Sequence, residues 1–398
     1  MKGVIMRRIL PGLFALLLLC TVILSSPAFC QENPPEDDVP EYSYIRARII
    51  KVVDLKNPEG TGTSGLPEQN QLVTVKLLDA QYKGREMEII HTLTNHPGYD
   101  VKVKPGDQVV LYAEPEGDKL NNVYIEDFAR DHKMLYLVFL FIILLLLVGG
   151  KQGLKSIFTL TVTVGAVFFG LLPLMFRGYN PIGVTVIISA AVTTFTLLVI
   201  GGKSAKTLSA IMGTIGGVLV AGILAFLVGS AAHLTGFSDE EMQMLVYIPQ
   251  QIDFDYRGIL FSGMIIGALG AVMDVGMSIA SAVDEIKKAN PMMGKTALIR
   301  AGMNVGRDIM GTMSNTLILA YTGGAIPLML VFMAYKMPFV KILNLDLIAT
   351  EIVRALAGSI GLIVAIPITS IIAGILLEGR KKYPHRQERL HDNDPYQM

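Results

Sequence analysis

Hydrophobic and polar positions change their rhythm once along this chain, near Met134. Before it, period-two and β-branched runs recur at Tyr44–Val53, Leu72–Leu78, Glu86–Thr92, Gln108–Ala113 and Val123–Phe128. Turn signals separate them, among them Asn57-Pro58, Lys83-Gly84 and Lys104-Pro105-Gly106-Asp107. Alternation of this kind predicts strands with one buried face, and five short strands predict a small barrel of the OB or SH3-like kind. After Met134 the apolar positions merge into long runs at 134–150, 156–176, 181–202, 207–232, 257–283, 309–335 and 351–377. A hydrocarbon core of about 30 Å needs about 20 apolar residues per helix, so these runs predict about seven transmembrane helices. The fold expected is therefore an α-helical integral membrane protein with a small all-β extracytoplasmic domain.

Two terminal segments frame these regions. Residues 1–30 combine the basic start Met-Lys-Gly-Val-Ile-Met-Arg-Arg with an apolar run from Ile9 to Leu24 and small residues at Ser26 and Ala28. That order fits a cleaved signal peptide, and an uncleaved anchor helix remains open. Either exports the next segment, a polar, proline-rich linker at 31–41 that begins the β domain of 31–133. The helical membrane domain spans 134–378 and a basic tail 379–398.

Composition sharpens the division. The chain is 52% hydrophobic and 17% charged, too apolar for a soluble protein of 398 residues. Residues 32–133 hold 19 acidic and 12 basic residues, whereas beyond Met134 charge is confined to short breaks. Lys151, Lys155, Lys203, Lys206, Lys287, Lys288, Lys295, Arg300, Arg307 and the tail cations fall in alternate breaks. The positive-inside rule makes those breaks cytoplasmic, with the β domain outside and the C-terminus inside. The basic residues form no nucleic-acid patch. Cys20 and Cys30 give no disulfide framework, and His91 and His96 read as loop histidines without metal partners. No cofactor is implied.

One run carries candidate chemistry. In 257–283, Gly263, Gly267, Gly270, Asp274, Ser278, Ser281 and Glu285 follow one another at spacings of three or four, on one helical face. The glycine half admits a close neighbouring helix; the other half is a polar track leading from an intramembrane carboxylate to the cytoplasm. An ionised Asp at bilayer depth is expensive unless paired, hydrated or protonated, so Asp274 serves either transport or a structural helix clamp. Ser278 and Ser281 also read as small packing residues. The next run offers Asp308, Thr312, Asn315 and Thr322 on one side, with Ser314 and Thr316 adjacent. This places Asn315 near the depth of Ser278, and Arg307 and Asp308 as anchors at a helix start. Ser209, Gly213 and Gly217 form a packing stripe, as do Gly358, Gly361 and Ala365 before Pro367. Glu351 and Arg354 read as a local ion pair. No nucleophile–base set, phosphate loop or intramembrane protease motif is present, so an enzyme is not expected.

Four stretches together resemble the YibE/F family: Gly150-Lys-Gln-Gly-Leu-Lys155, Gly201-Gly-Lys-Ser-Ala-Lys-Thr207, Gly267 through Glu285, and Gly306-Arg-Asp-Ile-Met-Gly-Thr-Met-Ser-Asn-Thr316. The resemblance implies a bacterial plasma-membrane protein and carries no activity with it. The glycine-spaced Asp274, a helix ending in acidic Asp284 and Glu285, and the succeeding Ser314-Asn-Thr316 are also similar to SecD/SecF and RND-type permeases. In those an intramembrane Asp relays protons. This chain departs from them in its single small β domain and its extra helices before Asp274. By that resemblance a proton relay would use Asp274, Ser278, Ser281, Asp284, Glu285, Asp308, Asn315 and Thr316. Expected partners are the bilayer and an unknown solute or protein, and a homo-oligomer stays open.

Overall fold

The computed structural model describes residues 43–55, 69–94, 98, 100–116, 119–248 and 252–378. The leader of 1–30 with Cys20 and Cys30, the linker of 31–41, Asn57-Pro58, His96 and the tail of 379–398 lie outside the described residues. Two compact units result, divided between Val148 and Gly149.

The first unit is built on five strands: β1 (Ser43–Leu55), β2 (Gln69–Leu77), β3 (Glu86–Leu93), β4 (Gln108–Glu116) and β5 (Lys119–Phe128). All five expected strands are present, each within a few residues of its sequence bounds. They pair antiparallel in the order β3-β2-β1-β4-β5. The alternation decides which side is core: Ile45, Ala47, Ile49, Val73, Val75, Leu77, Val109, Leu111 and Ala113 are all buried. Irregular register in β1 and between β4 and β5 curls the sheet. The outer strands β3 and β5 approach one another but form no ladder, so the expected barrel is an open half-barrel. His91 stands within β3, paired with Gln71, rather than in a loop, and its Nε2 lies 2.9 Å from the Val101 carbonyl.

Helix α1 (Asp131–Ala166) starts in this unit and is broken at Gly150 (φ 51, ψ −123), a conformation that favours glycine. Arg46 Nε lies 3.2 Å from Asp131 Oδ2, tying β1 to the first residue of α1. Beside it, the Arg130 guanidinium bonded to Asp127 holds that carboxyl below the usual carboxylate range, with the Phe128 amide assisting.

Beyond Gly149, α1 passes through a π turn (Val167–Leu171) into α2 (Leu172–Phe176). Then come α3 (Pro181–Gly201), α4 (Ala205–Ala231), short α5 (Glu240–Met244), α6 (Tyr256–Ala289), α7 (Lys295–Gly324), α8 (Ile326–Ala334), α9 (Phe339–Leu343) and α10 (Asp346–Glu378). Local chemistry sets their ends. Asn180, Ser204 and Asp255 cap α3, α4 and α6 by accepting from the amides of Gly183, Thr207 and Gly258. Among the described residues five helical stretches are long and apolar enough to cross a membrane, or six when α7 and α8, bent by 55°, count as one span. The expected count of seven treats 134–150 and 156–176 as separate spans. Both fall in the 46-residue stretch Asp131–Phe176, in which two helices meet at the break at Gly150, so the two runs stay separable at that point.

The helical core is layered on α4 and α10. An added Cβ at Gly217 would lie 2.6 Å from the Gly361 carbonyl, and one at Gly361 equally close to the Gly217 carbonyl. Thr369 of α10 likewise fills the notch at Gly213. Backbones this close exclude even a methyl group. Helix α6 packs across this pair through Ile265, Ala268, Val272, Val275 and Ile279.

Gly217→Ala and Gly361→Ala should each cost about 1–3 kcal/mol through overpacking. By contrast, Gly263 and Gly270 have nothing within 4 Å of an added Cβ. Alanine there should leave stability unchanged or raise it by up to ~1 kcal/mol through helix propensity. Thermal unfolding of the four variants in detergent measures the difference, and equal melting temperatures would refute this account of the core.

Candidate functional site

Helix α6 is the most enclosed element of the helical unit, with α3, α4, α7 and α10 packed against it. Its buried positions, such as Phe261, Ile265, Ala268, Val272, Gly276, Ile279 and Val283, leave one uncovered strip. That strip is the face picked out by spacing. Gly263, Gly267, Gly270, Asp274, Ser278 and Glu285 are exposed, and Ser281 is half-buried. Spacing predicts a neighbouring helix seated on the glycines. Instead Gly263 and Gly270 border open space, and only the Tyr321 hydroxyl comes near Gly267. Among the described residues no hydrogen bond or ion pair is seen at the Asp274 carboxylate.

The far end of α6 behaves differently. Asp284 and Lys287 are buried, 4% and 5% exposed. Lys288 Nζ lies 2.8 Å from Asp284 Oδ2 and 2.5 Å from Glu285 Oε1. Lys287 Nζ turns back to donate to the carbonyls of Pro291 at 2.8 Å and Met293 at 2.9 Å, closing the connection to α7. Asp284 thus sits on the packed side of α6, away from the Asp274 strip, with its charge neutralised locally.

Helix α7 corrects several expectations. It begins at Lys295, not near 309, because Leu298, Gly302 and Gly306 continue its buried face toward the N-terminus. Arg307 and Asp308 therefore stand more than three turns inside the helix and do not cap it. Gly302 packs beside Val283 and Gly306 beside Ile279. Continuing that antiparallel register puts Gly311 opposite Asp274 and Asn315 opposite Gly270, so Asn315 lies about two turns from the level of Ser278. Asp308, Thr312, Asn315, Thr316 and Thr322 are exposed. The polar faces of α6 and α7 lie side by side at an open surface instead of meeting in a closed seam. Ser314 is the exception: its Oγ is buried and has no hydrogen-bond partner.

Sequence reasoning missed two features here. The Glu351–Arg354 pair is joined by Asp239, whose Oδ2 lies 3.7 Å from Arg354 Nη2. Asp346 also accepts from the Thr235 hydroxyl at 2.6 Å, so the segment after α4 is strapped to the start of α10. Tyr321 feels both Glu351 and Arg354 electrostatically and reaches Gly267 with its hydroxyl. It links this charged cluster to the Asp274 strip. Only the short-range pair Glu351–Arg354 had a sequence signal; contacts from 239 to 354 have none.

The comparisons with known proteins decide the family. A model described as YibE/F-like protein matches residues 137–379, and one described as YibE/F family N-terminal domain matches 42–128. The chain belongs to the YibE/F family. No curated protein and no solved structure matches it. The second match covers the half-barrel almost strand for strand, and the first covers the helices that carry Asp274.

Lys287→Met removes the donor to two carbonyls, which costs about 1–3 kcal/mol for a buried charged hydrogen bond. Amide exchange around 290–294 should accelerate in that variant. Exchange identical to the unsubstituted protein would show that Lys287 does not close this loop.

Proposed function

We propose that this YibE/F protein is a multi-pass plasma-membrane permease or exporter component coupled to protons, with Asp274 as the group that takes up and releases them. The observation that carries the reading is the open polar strip on an otherwise enclosed α6, with a carboxylate at its centre that has no partner among the described residues. At bilayer depth an ionised Asp costs about 3 kcal/mol, so Asp274 must be hydrated, protonated or covered. A group that changes between those states is suited to a relay. In the RND-type permeases that the Asp274 motif resembles, such an aspartate does this work.

In this reading the β domain lies outside, and the Glu351–Arg354–Asp239 cluster stands at the outer end of the strip. Tyr321, Asn315 and Thr316 line the way to Asp274, and Ser278, Ser281 and Glu285 continue to the cytoplasmic side. Asp284, held by Lys288, and Asp308, three turns into α7, flank the track. The substrate is a solute or a protein segment. A second copy against the open face is compatible with the path. One proton crossing 100 mV supplies about 2.3 kcal/mol, enough to bias two arrangements of packed helices but not to separate them. A non-transporting scaffold is the second reading, favoured by the exposed outer face of the half-barrel with Tyr44 and Tyr124.

Purified protein in liposomes under an imposed pH gradient should move protons, and Asp274→Asn should abolish the flux while leaving the fold intact. Asp274→Glu should retain part of it. Equal flux in the unsubstituted protein and Asp274→Asn would sink the relay. Full cellular function of Asp274→Asn would favour the scaffold.

A further inference from the structure

The outer face of the half-barrel carries a row of tyrosines that neither the core nor the Asp274 strip uses. Strand register aligns Tyr44 of β1 with Tyr112 of β4, and Tyr112 with Tyr124 of β5. The Tyr44 and Tyr112 rings meet edge to face at 5.5 Å. Tyr44 is 64% and Tyr124 57% exposed. Soluble sheets do not need three aligned aromatics on a solvent face.

The row has a defined position relative to α1. Arg46 follows Tyr44 on the same face of β1, and its guanidinium pairs with Asp131, the first residue of α1. The apolar run of α1 begins at Met134, three residues later. Met134, Tyr136, Leu137 and Val138 are exposed, so α1 leaves the sheet instead of lying down on it. It departs from the side that bears the tyrosines. The Arg46–Asp131 pair thus keeps this side of β1 within three residues of the start of the apolar run. Exposed Arg48 and Lys133 lie in the same region, where Arg130 is paired with Asp127. Tyrosine combines an apolar ring with a polar tip, which suits the depth of lipid headgroups, and cations nearby suit their phosphates.

We infer that Tyr44, Tyr112 and Tyr124 seat the half-barrel on the headgroup layer of the leaflet that α1 enters, so the partner of this face is the phospholipid surface. The domain is then held flat against the membrane by a second attachment besides the α1 connection. This inference rests on α1 crossing the bilayer and is independent of proton coupling through Asp274.

The chain contains no tryptophan, so one substitution creates a sole indole emitter. Full-length Tyr124→Trp and Tyr44→Trp in phosphatidylcholine–phosphatidylglycerol vesicles should emit at shorter wavelength than in water. Lipid spin-labelled at the headgroup should remove most of that emission, whereas aqueous iodide should not. Lys104→Trp serves as the control. It sits at the turn beside Ile49, about five residues or roughly 17 Å along β1 from the row. It should emit as in water and be quenched by iodide alone. Water-like emission from both tyrosine-site variants would overturn the inference. So would shortened-wavelength emission that spin-labelled lipid fails to quench, because a protein surface would then cover the row.

Discussion

Everything in the helical unit depends on two backbones meeting without side chains between them. Gly217 and Gly361 bring α4 and α10 so close that each carbonyl occupies the space of the other's missing Cβ. In lipid, no hydrophobic effect between helices replaces this contact, and packing and close approach provide the association. The pair forms a fixed layer, and α6 lies against it with its bulky face inward. Because α3 and α7 take the two flanks, a single strip of α6 remains uncovered. The open strip is thus a consequence of where the tight contact sits.

That strip explains the composition of α6. A helix enclosed on three sides needs large apolar residues there, and Phe261, Ile265, Val272 and Ile279 supply them. On the fourth side nothing selects for bulk. Gly263, Gly267, Gly270, Asp274 and Ser278 occupy it, and α7 adds Gly311, Asn315 and Thr322 beside it. Lipid-facing surfaces are normally leucine- and isoleucine-rich, as α1 is. The strip of glycines, hydroxyls and a carboxylate on α6 and α7 is of a different kind.

Much of this was legible in the sequence. Alternation located all five strands, because one face of each is buried in a common core, and i, i+4 spacing found the face of α6. The longer-range results were not legible. Spacing assigns residues to a face but does not say whether a neighbour covers it, so on spacing alone Gly263 and Gly270 look like packing residues. Hydropathy places the start of α7 too late because Lys295, Arg300 and Arg307 interrupt it, although Leu298, Gly302 and Gly306 keep the helical period. Hydropathy reports the membrane-like part of a helix, and periodicity reports the whole of it. Asp239 reaching Arg354 depends on the fold of the intervening chain and leaves no local trace.

Two carboxylates on α6 show how position alone sets the surroundings of a charge. Asp274 and Asp284 are ten residues apart, about 80° around the helix, which is enough to put one on the open strip and the other on the packed flank. Asp284 falls on the packed side, is 4% exposed and has Lys288 at 2.8 Å. Removing its partner would strand a buried charge, which is destabilising. Asp274 falls on the open side, and no partner is seen there among the described residues. Neutralising it relieves a charge that the fold does not otherwise compensate, so stability gives no reason to keep it ionisable. The same residue type on one helix is thus compensated at one position and left without a visible counter-charge among the described residues at the other.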